Sequence, residues 1–288
     1  MAIQRKRIIV TGANGQLGKE IESASNRFDK LEFSFHTRET LSIGDEAAVR
    51  RIFNEYQPDF CINCAAYTAV DKAESEKEEA IAINADAVGS LARESKRTGA
   101  KFLHLSTDYV FDGTGSIPYT EDDAPNPMTV YGASKLAGER MAIAENDGSI
   151  VIRTSWVYSE FGKNFVKTML RLMNEKEEIG VVNDQRGCPT YANDLAVALL
   201  QIIDSGNWVP GIYHYCNDGV ITWHQFAEAI REISGSKCLV KPISSGEFKT
   251  AAKRPAYSAL NNQKVQQVFG VSTGEWRKSL SRCLSRLK

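Results

Sequence analysis

The chain has 288 residues, of which 42% are hydrophobic and 25% charged, and its formal net charge is −1 at pH 7. This composition is typical of a globular protein and excludes collagen-like, disordered and low-complexity chains. Nucleic acid is an unfavourable partner, because phosphate binding requires concentrated Lys and Arg. The first apolar run, Ile8–Val10, is too short for a signal peptide or a membrane span. We therefore expect a soluble, cytoplasmic protein with no membrane partner.

Strands and helices alternate through the first half of the chain. Short β-branched or aromatic runs predict the strands, and amphipathic stretches predict the helices. Asp45 is placed to cap the second helix, and Gly99 to end the third. We predict strands at 7–11, 31–36, 60–64, 101–106 and 150–153, and helices at 16–25, 46–56, 75–98 and 130–146.

This alternation predicts an α/β fold, a Rossmann-type doubly wound parallel sheet with a smaller mixed α/β C-terminal substrate lobe. After Thr154 the rhythm weakens, and Asp194 is the expected cap of one later helix. We predict a dinucleotide-binding domain at 1–155, rejoined by elements at about 190–220, and a mainly substrate-binding lobe at 156–288. The later elements predicted are strands near 180–182 and 213–215 and helices at 163–175, 194–204, 223–233, 261–268 and 274–287.

Three glycines follow the first strand and open the first helix. Gly12 permits a tight turn, Gly15 allows backbone to approach a pyrophosphate, and Gly18 allows close packing of helix on strand. The helix N-terminus then presents unpaired N–H groups to phosphates. The spacing is G-x-x-G-x-x-G rather than G-x-G-x-x-G, and a plain glycine turn is the alternative. The cofactor-binding residues predicted in this loop are Gly12, Asn14, Gly15, Gln16, Leu17 and Gly18.

The second strand decides which dinucleotide is preferred. A site selective for NAD often carries Asp or Glu at the end of this strand, where it bonds the ribose hydroxyls. Here His36 and Arg38 come first and Glu39 follows. A guanidinium matches a 2′-phosphate, although Arg38 could equally be a solvated surface charge. The sequence predicts NADPH as the cofactor, with NADH possible through Glu39.

A second constellation carries the chemistry of hydride transfer. The strand at 101–106 leads into Thr107, and Tyr131 and Lys135 lie four residues apart on one helix face. A carbonyl that accepts hydride must be protonated, and an unperturbed phenol titrates near pH 10. An ammonium at Lys135 is expected to lower the pKa of Tyr131, which makes it the proton donor. Thr107, or its neighbour Ser106, can donate a hydrogen bond to the developing oxyanion.

These features together resemble the extended short-chain dehydrogenase/reductase superfamily and, within it, the dTDP-4-dehydrorhamnose reductases. The resemblance extends in family order over nearly the whole chain. The resembling segments are residues 63–74 (NCAAYTAVDKAE), 106–111 (STDYVF), 131–139 (YGASKLAGE), 153–158 (RTSWVY), 164–169 (NFVKTM), 184–190 (DQRGCPT) and 254–260 (RPAYSAL).

The resemblance implies reduction by NAD(P)H of the C4 keto group of dTDP-4-dehydro-L-rhamnose to dTDP-L-rhamnose. It makes Thr107, Tyr131 and Lys135 the catalytic triad. Further cofactor contacts are implied for Ser42, Ile43, Ala65, Ala66, Tyr67 and Thr154, with Ser155 near the nicotinamide. Substrate contacts are implied for Thr68, Val70, Lys72, Asp108, Tyr109, Trp156, Asn164 and Arg254. The chain departs from the family at Ser42-Ile43, where Asp often lies near the adenine, and at Arg186–Cys188.

Several of these residues are also compatible with other roles. Trp156 could be core packing, Lys72 a solvated charge, and Cys61-x-x-Cys64 a pair of buried small residues rather than a redox or zinc motif. The four histidines show no metal spacing, so no metal site is predicted. Another nucleotide-sugar reductase, epimerase or dehydratase of this superfamily, or a non-catalytic regulatory subunit, is the alternative function. A dehydratase needs an Asp-Glu pair after the Thr, whereas only Asp108 is present. Monomer and homodimer are both compatible with the sequence.

Overall fold

The computed structural model describes residues 5–287. Residues 1–4 and residue 288, at the outer ends of the two predicted domains, lie outside the described residues. The strands are β1 (Lys6–Thr11), β2 (Leu31–His36), β3 (Phe60–Asn63), β4 (Lys101–Thr107), β5 (Ile150–Thr154), β6 (Val157–Tyr158), β7 (Glu178–Val182), β8 (Arg186–Gly187), β9 (Thr190–Tyr191), β10 (Gly211–His214), β11 (Ile221–Thr222) and β12 (Leu239–Ile243).

Helices separate most of these strands, as the alternation predicts. The helices are α1 (Gln16–Ser25), α2 (Glu46–Tyr56), α3 (Val70–Ala73), α4 (Lys77–Ile81), α5 (Ala87–Thr98), α6 (Val130–Glu145), α7 (Phe165–Glu175), α8 (Ala192–Ser205), α9 (Trp223–Ser234), α10 (Gln263–Phe269) and α11 (Trp276–Arg286). A π-helical turn at Ala82–Asp86 joins α4 to α5, and a 3-10 turn at Asp108–Val110 follows β4.

Six parallel strands form the central sheet in the order β2-β1-β3-β4-β5-β10. The Rossmann-type parallel sheet predicted from the sequence is confirmed. The chain leaves β1 towards β2 on one side and then crosses to β3 on the other. The carboxyl ends of β1 and β3 therefore flank a crevice, which is where open parallel sheets bind ligands. Two of the residues at these ends, Thr11 and Asn63, are fully buried.

Helices cover both faces of this sheet, which explains why its strands are continuous apolar runs. Ile8 and Ile62 face a core that includes α8 residues such as Leu199. Ile9 and Cys61 face the opposite core, with Phe53 of α2. Cys61 is therefore a buried apolar residue, and all six cysteines are free thiols. α8 packs against α1, and β10 pairs with β5.

A separate apolar core lies beyond the sheet. It is formed mainly by α7, α9 and α11 with the parallel pair β7–β12. The sequence analysis did not predict β12, because its run contains Lys241 and Pro242 and shows no clear alternation. The division of the chain at residue 155 stays a prediction. No helix among residues 5–287 is both long and apolar enough to cross a membrane.

The helix expected at 75–98 is present from Lys77 to Thr98, with a π-helical turn inside it where the Asn84 side chain bonds both the N–H and the C=O of Tyr67 (2.8 and 3.0 Å). Another local prediction is wrong. Asp194 does not cap α8, which begins at Ala192. Its carboxylate instead accepts hydrogen bonds from Asn217 and from Ser279 of α11. Both deviations arise because a side chain forms tertiary bonds that local patterns do not reveal.

Candidate active site

A cleft of about 820 Å³ runs along the carboxyl edge of the sheet. It begins at the loop between β1 and α1, passes the ends of β3 and β4, and ends at Trp156 and Trp223. It brings together most residues singled out by the sequence. The predicted residues that line it are Gly12, Asn14, Gly15, Gln16, Leu17, Gly18, Arg38, Ser42, Ile43, Ala65, Ala66, Thr68, Val70, Thr107, Asp108, Tyr109, Tyr131, Lys135, Thr154 and Trp156.

Backbone packs so closely around the glycine loop that a side chain at Gly12 or Gly18 would collide with it. Gly12 has φ +67°, and a Cβ there would lie 2.5 Å from the backbone nitrogen of Ala65. A Cβ at Gly18 would lie 2.5 Å from the carbonyl oxygen of Gly12. Gly15 precedes α1 and provides no side-chain cap, so the first-turn N–H groups remain open to a ligand. This arrangement fits a pyrophosphate group.

Charged groups at the end of β2 favour a phosphate-bearing ligand. Arg38 is exposed and lines the cleft. Burial lowers the pKa of His36, so this imidazole is neutral at pH 7. The Glu39 carboxylate accepts a hydrogen bond from the Thr37 hydroxyl (2.6 Å), which lowers the pKa of Glu39. At this position the guanidinium of Arg38 is the group suited to bind an anion.

The loop after β3 is fixed beside the glycine loop by Asn63. The Asn63 Oδ1 accepts hydrogen bonds from the Thr11 hydroxyl (2.6 Å) and the Ala65 backbone N–H (3.1 Å). Tyr67, predicted as a cofactor contact, does not line the cleft. Its hydroxyl instead donates to the carboxylate of Glu76. The segment after β3 thus lines the cleft through Ala65 and Ala66, while Glu76 holds the Tyr67 side chain away from it.

Thr107 and Tyr131 meet in the middle of the cleft. Thr107 ends β4, and Tyr131 lies in the first turn of α6, which is capped by the Thr129 side chain (3.0 Å to the Gly132 N–H). Burial raises the pKa of Tyr131 to about 12, against a smaller opposing effect of a hydrogen bond with Thr107. Tyr131 is therefore a fully protonated phenol at neutral pH.

Lys135 is buried one turn further along α6, and its amine is turned towards β4. Its Nζ donates to the Leu105 carbonyl oxygen (2.5 Å) and lies 3.3 Å from His104 Nε2. Burial lowers the pKa of Lys135 to about 8. The net shift of the Tyr131 pKa is upward rather than the downward shift expected from Lys135, because burial of the phenol dominates, and the contribution of the Lys135 ammonium stays a prediction. The cause is tertiary, since helical spacing alone does not show what each side chain is packed against.

Asp108 adds a buried carboxyl group next to the two hydroxyls. Its Oδ1 accepts from the Thr107 hydroxyl (3.0 Å), and its Oδ2 has no hydrogen-bond partner among residues 5–287. Burial raises the pKa of Asp108 to about 6. This carboxyl group is thus held behind the cleft surface, next to the Thr107 hydroxyl.

Two stacked tryptophans form the far wall. Trp156 has φ +46°, which is strained for a side chain of this size. Its ring lies parallel to that of Trp223, with centroids 3.5 Å apart. It also packs against Gly187, where a Cβ would lie 2.6 Å from the Trp156 ring. Trp223 was not predicted as a site residue, and its only signal in the sequence is its position directly after the Thr222 cap of α9. The pair provides an apolar wall.

Three further predicted substrate contacts lie outside the cleft. Lys72 is exposed on α3. Asn164 caps α7 and donates to the Gln16 side chain (2.9 Å), which ties that helix to the glycine loop. Arg254 forms two bonds to Asp71 (3.0 and 2.8 Å) and lines a neighbouring cavity of about 180 Å³. Arg254 also holds the pKa of Asp71 near 2.

No three His, Cys, Asp or Glu side chains in the described part of the chain are grouped in a way that could hold a metal ion. The polar groups of the cleft are instead hydroxyls, amides, the carboxyls of Glu39 and Asp108, the amines of Lys135 and Lys163, and the guanidinium of Arg38. This set suits hydrogen bonding and proton transfer to an oxygen-rich ligand.

The chain is similar over nearly its whole length to proteins of one family. Residues 6–288 match the family described as the RmlD substrate binding domain. The chain is 42% identical to the spore coat polysaccharide biosynthesis protein SpsK of Bacillus subtilis, over 95% of each chain. It is 40% identical to the dTDP-4-dehydrorhamnose reductase of Sinorhizobium fredii, over 96% of each chain. The crystal structure of the Bacillus anthracis dTDP-4-dehydrorhamnose reductase in complex with NADP superposes with a TM-score of 0.94 and 39% identity, over 98% of this chain and 99% of that one.

Proposed function

The chain belongs to the RmlD substrate binding domain family, and on that basis we propose that it is a dTDP-4-dehydrorhamnose reductase. The reaction is reduction of the C4 keto group of dTDP-4-dehydro-L-rhamnose, with NADPH as the hydride donor. The similarity over nearly full length to reductases of this name supports the assignment. The observation that carries it is one continuous cleft in which the glycine loop and the Thr107–Tyr131 pair face the same space.

The cofactor half of the cleft is formed by the glycine loop and Arg38. The first-turn N–H groups of α1 would hold the pyrophosphate, and Arg38 a 2′-phosphate. The NADP complex of the Bacillus anthracis relative supports NADPH, with NADH as a weaker alternative. When bound, NADPH supplies the hydride that reduces the sugar carbonyl.

The proton for the sugar oxygen comes from Tyr131. Because the pKa of this phenol is about 12, it stays protonated across the neutral range and can only act as a donor there. Thr107 lies close enough to hydrogen-bond Tyr131 and stabilises the charge that develops on the substrate oxygen. Once Tyr131 has donated, its phenolate must be reprotonated before the next turnover.

The remaining cleft residues orient the sugar. Asp108 accepts from the Thr107 hydroxyl (3.0 Å) and so orients it, and Tyr109 packs edge-on against Tyr131 with ring centroids 5.6 Å apart. The Trp156–Trp223 wall excludes water from the reacting carbon. Together these groups favour a deoxy sugar with one apolar and one hydroxylated side.

The test is turnover of purified full-length protein. Absorbance at 340 nm is followed with NADPH and dTDP-4-dehydro-L-rhamnose, alongside UDP- and GDP-linked 4-keto sugars, and the product is identified by NMR. We expect NADPH consumption with the dTDP substrate and formation of dTDP-L-rhamnose. Absence of turnover with every keto sugar contradicts the proposal and favours a regulatory subunit. A tightly retained cofactor that is not consumed favours an epimerase.

A further inference from the structure

A row of buried polar side chains crosses the sheet behind the active site. Thr11, Asn63 and His104 come from three neighbouring strands, and the row ends at Lys135 on α6. Each of the four side chains is at most 2% exposed. The links are Thr11 Oγ1 to Asn63 Oδ1 (2.6 Å), Asn63 Nδ2 to His104 Nδ1 (3.1 Å), and His104 Nε2 to Lys135 Nζ (3.3 Å). Neither the sequence analysis nor the proposed reaction uses Asn63 or His104.

The direction of this row is fixed at Asn63. The backbone N–H of Ala65 can only donate, and it bonds one amide atom of Asn63 at 3.1 Å, so that atom is the oxygen. The other amide atom is then the nitrogen, which donates to Nδ1 of His104. Nδ1 must accept, and a neutral imidazole that accepts at Nδ1 carries its hydrogen on Nε2.

His104 is neutral in this setting. Its imidazole is fully buried, and burial together with the neighbouring Lys135 lowers its pKa well below the ordinary value. The hydrogen on Nε2 therefore points towards Lys135 Nζ. An uncharged amine has a lone pair that accepts this bond while its own hydrogen bonds Leu105 O, whereas an ammonium has no lone pair. The contact between His104 Nε2–H and Lys135 Nζ is therefore a hydrogen bond only when Lys135 is an amine.

Other ionisable groups face Lys135 without reversing this preference. Glu139, on the same helix, is neutralised by a two-bond ion pair with Arg153 (2.9 and 2.7 Å) and accepts from the Ser106 hydroxyl (2.5 Å). Cys64, which follows β3, stays a thiol because burial raises its pKa to about 12. Tyr131, one turn earlier on α6, is an uncharged phenol. His104 is thus the polar partner with a fixed hydrogen directed at the Lys135 nitrogen.

We propose that His104 is a positioning residue, which holds Lys135 against β4 and, through a tautomer fixed by Asn63, favours its amine over its ammonium form. The consequence for catalysis rests on the proposed function. After Tyr131 has protonated the sugar oxygen, an N–H bond of the Lys135 ammonium breaks, the proton passes through hydrogen-bonded groups in the cleft that both residues line, an O–H bond forms on the Tyr131 phenolate, and the amine remains. His104 stabilises the amine product of this step and so eases release of the proton.

The first test measures the tautomer directly. Protein labelled with 15N-histidine is examined by long-range proton–nitrogen correlation between pH 6 and 9, and the His104 signals are assigned with the His104→Gln variant. We expect the Nε2–H tautomer throughout this range. The Nδ1–H tautomer, or an imidazolium, overturns the proposal. This measurement requires no enzymatic activity.

The second test follows Lys135 itself in protein labelled with 13C at the lysine Cε. In the wild type we expect a midpoint near 8. His104→Asn places no N–H at the Nε2 position and should raise the midpoint by about one pH unit. His104→Gln, whose longer side chain keeps an N–H there, should stay near the wild type. Equal midpoints in the Asn and Gln variants overturn the proposal.

Two further variants guard against a purely structural effect. His224 lies on α9, away from this row, and its ring lies 3.2 Å from the carbonyl oxygen of Val240, so His224→Asn should leave the Lys135 midpoint unchanged. Asn63→Asp keeps His104 but places a carboxylate oxygen, which can only accept, next to Nδ1. The imidazole hydrogen should then lie on Nδ1, Nε2 should accept from the Lys135 ammonium, and the Lys135 midpoint should rise. An unswitched tautomer in Asn63→Asp contradicts the mechanism even if the His104 variants do not fold.

The pH profile of kcat connects this network to turnover, because the proton returns to Tyr131 after the chemical step. Activity should fall as the pH rises through the Lys135 midpoint, since the proton to be returned to Tyr131 is lost, and His104→Asn should move this fall to higher pH. A fall that stays in place while the Lys135 midpoint moves overturns the catalytic part. If no keto sugar is reduced, the proposed function fails, and the tautomer and Lys135 titration still decide the role of His104.

Discussion

At the scale of single residues, Tyr131 and Lys135 are both shifted towards their uncharged forms. Burial raises the pKa of the phenol to about 12 and lowers that of the amine to about 8. In the proposed reaction the phenol already carries the proton that the sugar oxygen needs.

Replacing Tyr131 by Phe removes this proton while the ring remains. We expect kcat to fall on the order of a hundredfold or more, with little change in NADPH affinity. Steady-state kinetics and cofactor titration by fluorescence measure both quantities. Tyr213→Phe is the control. Tyr213 lies on the edge strand β10, away from the cleft, and its hydroxyl donates to the carbonyl oxygen of Val209 (2.9 Å). Near-normal turnover of Tyr131→Phe would assign the proton donor elsewhere.

Replacing Arg38 by Ala tests the preference for NADPH. The guanidinium is exposed at the cleft, and Glu39 is bonded to Thr37. We expect KM for NADPH to rise about tenfold, and KM for NADH to change much less. Arg50→Ala, an exposed arginine on α2, serves as the matched control. An equal rise for the two cofactors would show that Arg38 does not bind the 2′-phosphate.

Sequence patterns identified these residues because their chemistry is local. Tyr131 and Lys135 are four apart on a helix, and the glycines are contiguous with a strand. They did not reveal Trp223 or His104, which approach the site from separate elements. Nor did they show that Arg254 is paired with Asp71 or that Tyr67 is held by Glu76, because both partners depend on how the loops fold together.

At the scale of elements, a buried carboxyl group joins α1 to α8 and to the segment after β6. Glu20 of α1 is fully buried and accepts from Ser159 (2.7 Å) and Asn193 (2.9 Å). Burial raises the pKa of Glu20 to about 7, and interaction with Glu160 adds to this effect. The helix that opens the cofactor site is thus anchored by a group that titrates near neutral pH.

This anchor predicts a pH dependence of stability. The folded state binds the Glu20 proton more tightly than the unfolded chain, whose value is near 4.5. Its stabilising contribution is therefore complete below pH 4.5 and is lost as the pH rises towards 7. Relative to Glu20→Gln, the free energy of unfolding of the wild type should fall over this interval, as measured by urea denaturation.

The control for this effect is a neighbouring glutamate on the same helix. Glu22 is exposed and pairs with Lys19 on the surface. The difference between wild type and Glu22→Gln should be nearly flat between pH 4.5 and 7. If the Glu20→Gln and wild-type curves run parallel, Glu20 is not protonated in the folded protein.

At the scale of the whole molecule, the order of the strands creates the cleft. β1 and β3 are neighbours that lead to opposite sides of the crevice, and β4 brings Thr107 to the same edge. Elements after residue 155 complete the far wall, where Trp156 stacks on Trp223. The site therefore exists only when the sheet and the later helices are folded together.

Cofactor binding should accordingly stabilise the entire fold. At a hundredfold excess over Kd, linkage contributes about 2.7 kcal/mol, which corresponds to a Tm increase of roughly 5 °C or more for a chain of this size. Differential scanning fluorimetry with NADPH and NADH measures it. In Arg38→Ala the NADPH increment should shrink to that of NADH. An unchanged Tm at high NADPH concentration would show that the folded protein does not bind the dinucleotide.

The sequence alone determined the parallel sheet, the glycine loop and the Tyr131/Lys135 pair. These features depend on contacts within about four residues or on one strand–loop–helix unit, so their patterns are complete in the linear chain. The tertiary structure decided the protonation of Tyr131 and Lys135, the π-helical turn at Asn84, the Trp156–Trp223 wall and the row from Thr11 to His104. Each of these depends on burial or on hydrogen bonds between residues distant in sequence, and both exist only once the elements have packed.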